Sequence, residues 1–206
     1  NADGSELRRL TQGEKVRVHA WSPDGRKVAY LAETANGTAL KVIGGGGQGD
    51  LLLAKRVASF RWSPDSQHIV YLAESQSQSG WHDIWVIQVP EEEAQLTEPV
   101  RITEGGTAGP ASWCPDGQRL AYTGGGAERG IWVSDLSGKA RQRLTDRGMD
   151  PIWSPDGKMV AFVAGDAPEW ASDARSRYEG ISLVNADGSG LRKLVAAGDD
   201  AQPQDA

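Results

Sequence analysis

The feature that most constrains this chain is a five-residue phrase used four times: Trp21-Ser22-Pro23-Asp24-Gly25, Trp62-Ser63-Pro64-Asp65-Ser66, Trp113-Cys114-Pro115-Asp116-Gly117 and Trp153-Ser154-Pro155-Asp156-Gly157. Proline presets φ, serine and aspartate side chains bond nearby backbone groups, and glycine closes the turn at little steric cost. An apolar run follows each phrase, as in Val28-Ala29-Tyr30-Leu31 and Met159-Val160-Ala161-Phe162-Val163. The reading is strand, tight turn, strand, repeated four times. The tryptophans stand 41, 51 and 40 residues apart. Units of that length, each holding several short strands, make propeller blades. Solenoids of helix pairs would need long stretches at 3.6-residue spacing, which the frequent glycines and prolines interrupt.

The predicted fold is all-β: a β-propeller of four-stranded antiparallel blades, about four of them complete, in one partial domain spanning 1–206. The blades are expected at about residues 12–55, 56–104, 105–146 and 147–196. The acidic run Glu91-Glu92-Glu93 is read as a solvated stretch with a helical turn. Residues 5–11 are expected to be the outer strand of a preceding blade, because Asn1-Ala2-Asp3-Gly4-Ser5 with Leu7-Arg8-Arg9-Leu10 returns as Asn185-Ala186-Asp187-Gly188-Ser189 with Leu191-Arg192-Lys193-Leu194, there behind a strand. Residues 198–204 are phased like the approach to another tryptophan turn. The expectation is an arc of a six- to eight-bladed ring, whose open terminal blades invite self-association. Strands such as Ile84-Trp85-Val86-Ile87 are apolar nearly throughout, as required of small sheets buried on both faces.

Composition excludes more than it assigns. A net charge of −6 and a pI near 5.1 argue against nucleic acid and against anionic membrane surfaces. The chain lacks any run of 18 apolar residues, so membrane insertion is not expected. The single cysteine, Cys114, stands where the other repeats have serine and reads as a small turn residue. Gly44 to Gly47 are four glycines without the Lys-Ser/Thr of a phosphate loop, hence a linker. Asn185-x-Asp187-x-Ser189-Gly190 spaces oxygens as a calcium loop does, but Ala196 holds the place of the bidentate glutamate, and a hairpin turn is the better reading. His19, His68 and His82 lack zinc-site spacing, and His19 is read as channel-facing or packed. There is no Gly-x-Ser-x-Gly elbow. No catalytic residue, metal or cofactor is expected of this chain, which is read as not itself an enzyme.

Binding residues are sought in the irregular loops. Turns joining first to second and third to fourth strands share one face of a blade, and the remaining connections share the other. That second face carries the uneven lengths of 75–82 and 165–180, with Trp81, His82, Trp170, Arg175, Arg177 and Tyr178. Aromatics and arginines on loops of a rigid scaffold are the residue types that dominate partner contacts, so a protein or peptide partner is expected there. Trp170, Ala174 and Tyr178, four apart, would align on a short helix. For Trp170 and Tyr178 two readings stand: partner contacts, or a cap over the loop's own small core.

The phrase W-S-P-D-G followed by K/R-x-V-A-Y/F, with I-W-V and N-A-D-G-S-G-L-R-x-L behind it, resembles the WD-like repeats of the TolB-type β-propeller family over practically the whole chain. Ser66 and Cys114 are small departures within the turn. The resemblance implies a non-catalytic protein-interaction or sensor scaffold in a periplasmic or other extracytoplasmic setting. The alternative it implies is the lid propeller of a prolyl-oligopeptidase-like serine hydrolase whose catalytic domain lies outside these residues.

Overall fold

Sixteen strands form four four-stranded antiparallel sheets in a computed structural model that describes residues 5, 7–11, 13–75, 82–104, 109, 111–125, 128–165 and 180–196. The first sheet holds β1 (Val16–Trp21), β2 (Lys27–Thr34), β3 (Gly37–Gly44) and β4 (Leu51–Lys55). The second holds β5 (Val57–Trp62), β6 (His68–Glu74), β7 (His82–Gln88) and β8 (Val100–Arg101). The third runs through β9 (Ser112–Trp113), β10 (Arg119–Gly124), β11 (Gly130–Asp135) and β12 (Arg141–Arg143), and the fourth through β13 (Met149–Trp153), β14 (Met159–Ala164), β15 (Gly180–Asn185) and β16 (Arg192–Ala196). Each tryptophan of the repeated phrase closes the first strand of its sheet. A helical turn, Glu93–Gln95, begins at the end of the acidic run. The chain divides into two compact units, Asn1–Glu104 and Gly105–Ala206, cut where the second and third blades were expected to meet.

The turn chemistry is the one the phrase calls for. Ser22 Oγ donates to Asp24 Oδ1 at 2.6 Å and accepts from the Lys27 amide at 3.0 Å, while Asp24 Oδ1 accepts from the Arg26 amide at 3.1 Å. Ser154 and Asp156 repeat this with Met159 and Lys158 at 2.6, 2.9 and 3.1 Å. The Ser22 hydrogen bond holds the Asp24 carboxyl below its ordinary range, as Ser154 does for Asp156. In the third turn the Arg119 guanidinium bonds Asp116 at 2.8 Å and reaches Cys114 Sγ at 3.3 Å. Burial pushes the Cys114 thiol up, the opposite of what a nucleophile needs. The fifth position is left-handed in all four turns, with φ of 71° at Gly25, 63° at Ser66, 70° at Gly117 and 67° at Gly157.

In the first unit two sheets pack face to face. Ala29, Leu31, Leu40 and Val42 of the first sheet meet Trp62, Ile69, Tyr71 and Ile87 of the second in one core. Trp62 Nε1 also donates to the Ala20 carbonyl at 3.2 Å, and Lys27 Nζ donates to the Pro90 carbonyl at 3.0 Å. The second unit repeats the device: Ala121, Ile131 and Val133 pack with Trp153, Val160 and Phe162. There Arg119, at the position corresponding to Lys27, lies 4.8 Å from the Trp153 ring centre.

One segment departs from the strand expected of it. Residues 7–11 form no strand; instead Leu10 packs over Val28, Tyr30, Ala32 and Ile43, the far face of the first sheet, and Arg8 bonds the Gly45 carbonyl at 3.2 Å. A strand needs a hydrogen-bonding neighbour, and this segment is held through side chains. The fourth strands of the second and third sheets are short, ending at Arg101 and Arg143. There Thr103 and Thr145 hydroxyls accept from the Ile84 and Ile131 amides at 2.9 and 3.2 Å, replacing the next ladder carbonyl by a side chain.

The left-handed fifth position gives a graded test. A Cβ on Gly25 meets nothing within 4 Å, so Gly25→Ala should cost only the conformational term, about 1 kcal/mol in a denaturant titration. At Gly130 the same atom would lie against the Thr145 backbone carbonyl, and Gly130→Ala should cost at least about 3 kcal/mol. Equal losses would contradict the assignment of strain alone at Gly25.

Candidate functional site

Strands of a blade alternate in direction, so in the first unit the two tryptophan turns share one face and the β2–β3, β4–β5 and β6–β7 connections share the other. On that second face the first unit opens a cleft of about 850 Å³ between its two sheets. Two β-bulges shape it. Val16 pairs with Ala32 and Val18 with Leu31, leaving Arg17 as the extra residue; Val57 pairs with Ala73 and Ser59 with Leu72, leaving Ala58. Bulges re-aim side chains, and both bulged residues line the cleft. Between β4 and β5 the chain turns through Arg56 in a left-handed conformation, φ 56°, which costs a non-glycine residue about 1 kcal/mol.

The floor is apolar, from Leu31 and Val57 with the half-exposed Val18, and the rim is polar, from Asn36, Thr38, Glu74 and His82. Arg17 faces Glu33 at 3.6 Å, and Arg56 faces Glu74 at 3.6 Å, with guanidinium side chains 63% and 67% exposed. Pairs that long and wet contribute little, at most about 1 kcal/mol. Other cations are firmly engaged: Lys41 with Glu14 and Asp50 at 2.7 and 2.6 Å, Arg101 with the buried Asp83 at 2.8 Å, and Arg141 with both oxygens of Glu128. A third long pair, Arg26 with Asp24 at 3.9 Å, sits at the tryptophan-turn end.

Of the residues singled out from sequence, His82 opens β7 and lines this cleft. Trp81, Trp170, Arg175, Arg177 and Tyr178, with the short helix expected around them, lie outside the described residues. His19 is solvent-exposed on β1. Sequence reasoning missed Arg17, Arg56 and Glu74, because a bulge leaves no mark in an apolar alternation; the one available signal was that the β4–β5 connection is shorter than any standard loop.

Two other polar clusters are closed upon themselves. Asp187 Oδ1 accepts from the Ser189 amide and hydroxyl at 2.9 and 2.6 Å, so the loop once compared with a calcium site is a self-bonded hairpin. The Tyr30 hydroxyl bonds Asp50 at 2.7 Å and Glu14 at 3.0 Å, beside Lys41. Burial and then those two carboxylates push the Tyr30 phenol far above its ordinary 10.0. At Lys41 burial works downward, but the hydrogen bonds from Asp50 and Glu14 outweigh it and the amine is raised above 10.5. Groups raised in the folded state contribute stability that is present below their unfolded values and lost as pH climbs through the folded ones. The unfolding midpoint should therefore fall more steeply above pH 10 in the wild-type protein than in Tyr30→Phe; parallel curves from pH 8 to 11 would show that Tyr30 is uncoupled from the network.

Comparison with known proteins places this architecture. A family profile described as the TolB beta propeller domain matches residues 1–204. Comparison with curated proteins finds no match. The fold resembles the structure solved as TolB from Agrobacterium tumefaciens, with 24% identity and a TM-score of 0.60, over 86% of this chain and 64% of that one. TolB from Acinetobacter baumannii gives 20% identity and a TM-score of 0.60 over 94% of this chain and 47% of that one. The acylaminoacyl peptidase of Pyrococcus horikoshii gives 14% identity and a TM-score of 0.57, covering 90% and 33% respectively. This chain thus spans less than two thirds of the length of each of these three structures.

Proposed function

We propose, from the premise that this chain belongs to the TolB β-propeller family, that its blades are a non-catalytic scaffold which binds a protein or peptide partner on the face of the irregular loops. The observation that carries this reading is the cleft between the first two sheets, where an apolar floor is rimmed by exposed, loosely paired arginines. Such a surface favours recognition: the apolar floor gains from burial, and the guanidiniums are free to exchange partners. The only described thiol is buried and raised, which supports binding over nucleophilic chemistry. We assign the protein to an extracytoplasmic compartment on the strength of the family resemblance. The propeller of a peptidase is the second reading, supported by the fold shared with the acylaminoacyl peptidase.

Panning a random peptide library on the purified protein tests the scaffold. Enriched peptides should bind a His82→Ala variant, and a variant carrying Trp170→Ala with Tyr178→Ala, at least about fivefold more weakly, with the melting temperature almost unchanged. A large drop in melting temperature would mark Trp170 and Tyr178 as packing residues. A library that yields no binder sensitive to these changes would sink the reading. A nucleophile elbow in an adjoining hydrolase domain, read from the coding sequence, would favour the peptidase propeller.

A further inference from the structure

We infer that the cleft of the first unit takes an extended, acidic peptide segment, one whose carboxylates alternate with apolar side chains; this rests on the scaffold reading and names its ligand class. Three observations carry it. First, two guanidiniums, Arg17 and Arg56, line the cleft against one lining carboxylate, Glu74. Their present partners stand at 3.6 Å, beyond a charge-assisted hydrogen bond, so an incoming carboxylate that meets a guanidinium fork at about 2.8 Å replaces a weak contact by a strong one.

Second, β1 and β5 are edge strands of their sheets, and their bulges lie at the cleft. Each edge presents a row of backbone groups outside its own ladder, the feature an extended peptide uses when it adds alongside a sheet. In such a peptide successive side chains point to opposite sides, so one set can reach the Val18, Leu31 and Val57 floor while the other meets the arginines.

Third, Arg56 holds its place at a conformational cost. Glycine would serve the φ of 56° better, as it does at φ 71° in the Gly25 turn. A side chain placed where the backbone disfavours it is explained by what the side chain does, and among the described residues the ion pair of Arg56 is the long, exposed contact with Glu74.

The chain's net charge of −6 opposes an acidic ligand at long range, so attraction here is local and selective. Nonspecific electrostatics would instead favour a basic peptide, which makes the inference sharp. Fluorescence anisotropy at about 0.15 M salt would compare three labelled, amidated octapeptides, alternating valine with glutamate, glutamine or lysine. The glutamate peptide should bind about tenfold tighter than the glutamine peptide, and the lysine peptide weakest. Arg17→Gln and Arg56→Gly should each weaken the glutamate peptide about fivefold to tenfold. Arg56→Gly relieves the backbone, so its unfolding midpoint should be unchanged or raised, which separates lost recognition from lost folding. Arg26→Gln, on the opposite face, should leave binding unaltered. Equal affinity for the glutamate and glutamine peptides, or preference for lysine, overturns the acidic specificity while leaving the scaffold standing. Undiminished glutamate-peptide binding by both cleft variants overturns the assignment to this cleft. Failure of all three peptides overturns it too, and panning that also yields no binder removes the scaffold with it.

Discussion

The structure depends on one small closure: a serine hydroxyl that donates to the aspartate two residues on and accepts from the backbone amide that opens the next strand. That pair of bonds, seen at Ser22, Ser63 and Ser154, ties the end of a first strand to the start of a second within five residues. Because the hairpin is closed so tightly, the tryptophan before it has little freedom and is delivered to the corner of its sheet. In the first unit Trp62 then lies against the preceding sheet, 9% exposed and bonded to Ala20; in the second Trp153 packs against the preceding sheet through apolar contacts, 6% exposed. A local turn thereby sets the packing between neighbouring sheets, and burying an indole of this size is worth about 3 kcal/mol or more to each interface.

The first two blades show how tolerant that device is. Ser66 takes the left-handed position that glycine holds in the other three turns, and its hydroxyl accepts from the Asp24 amide of the neighbouring turn at 3.1 Å. A bond between adjacent turns offsets the conformational penalty. In the third turn cysteine cannot reproduce a hydroxyl's short bonds, and Arg119 supplies the missing ties while also stacking on Trp153. Different residues meet the same mechanical requirement.

These relations explain what was legible in the sequence. Turn chemistry is local and period-2 strands are local, so the blade order, the tryptophan corners and nearly every strand could be read from residue types. What could not be read depends on partners distant in the chain. Leu7 to Thr11 carries the lettering of an outer strand, yet it covers the first sheet through Leu10. The bulges at Arg17 and Ala58 arise from how two ladders close against each other, and nothing in Val16-Arg17-Val18 distinguishes a bulge from plain alternation. Of the candidate binding residues only His82 could be followed to the cleft, and its neighbours there came from connections that looked featureless as sequence.

The two units differ at the place where the cleft lies. In the second unit Asp150 takes a left-handed conformation, φ 52°, as Arg56 does in the first. There Thr123 Oγ1 accepts from the Asp150 amide at 3.2 Å, drawing the first strand of the fourth sheet onto the second strand of the third. Gly148, leading into the fourth sheet, lies so close to Phe162 of that same sheet that a Cβ would run into the ring. The residue of the first unit that corresponds to Thr123 is Leu31, by their shared place in the β2–β3 and β10–β11 ladders. Leucine has no oxygen to offer the following strand, and Leu31 instead packs in one core with Val57 and forms part of the apolar floor. Within an otherwise repeated framework, Thr123 thus ties its sheet to the next through a hydroxyl, whereas Leu31 contributes an apolar side chain to the cleft floor.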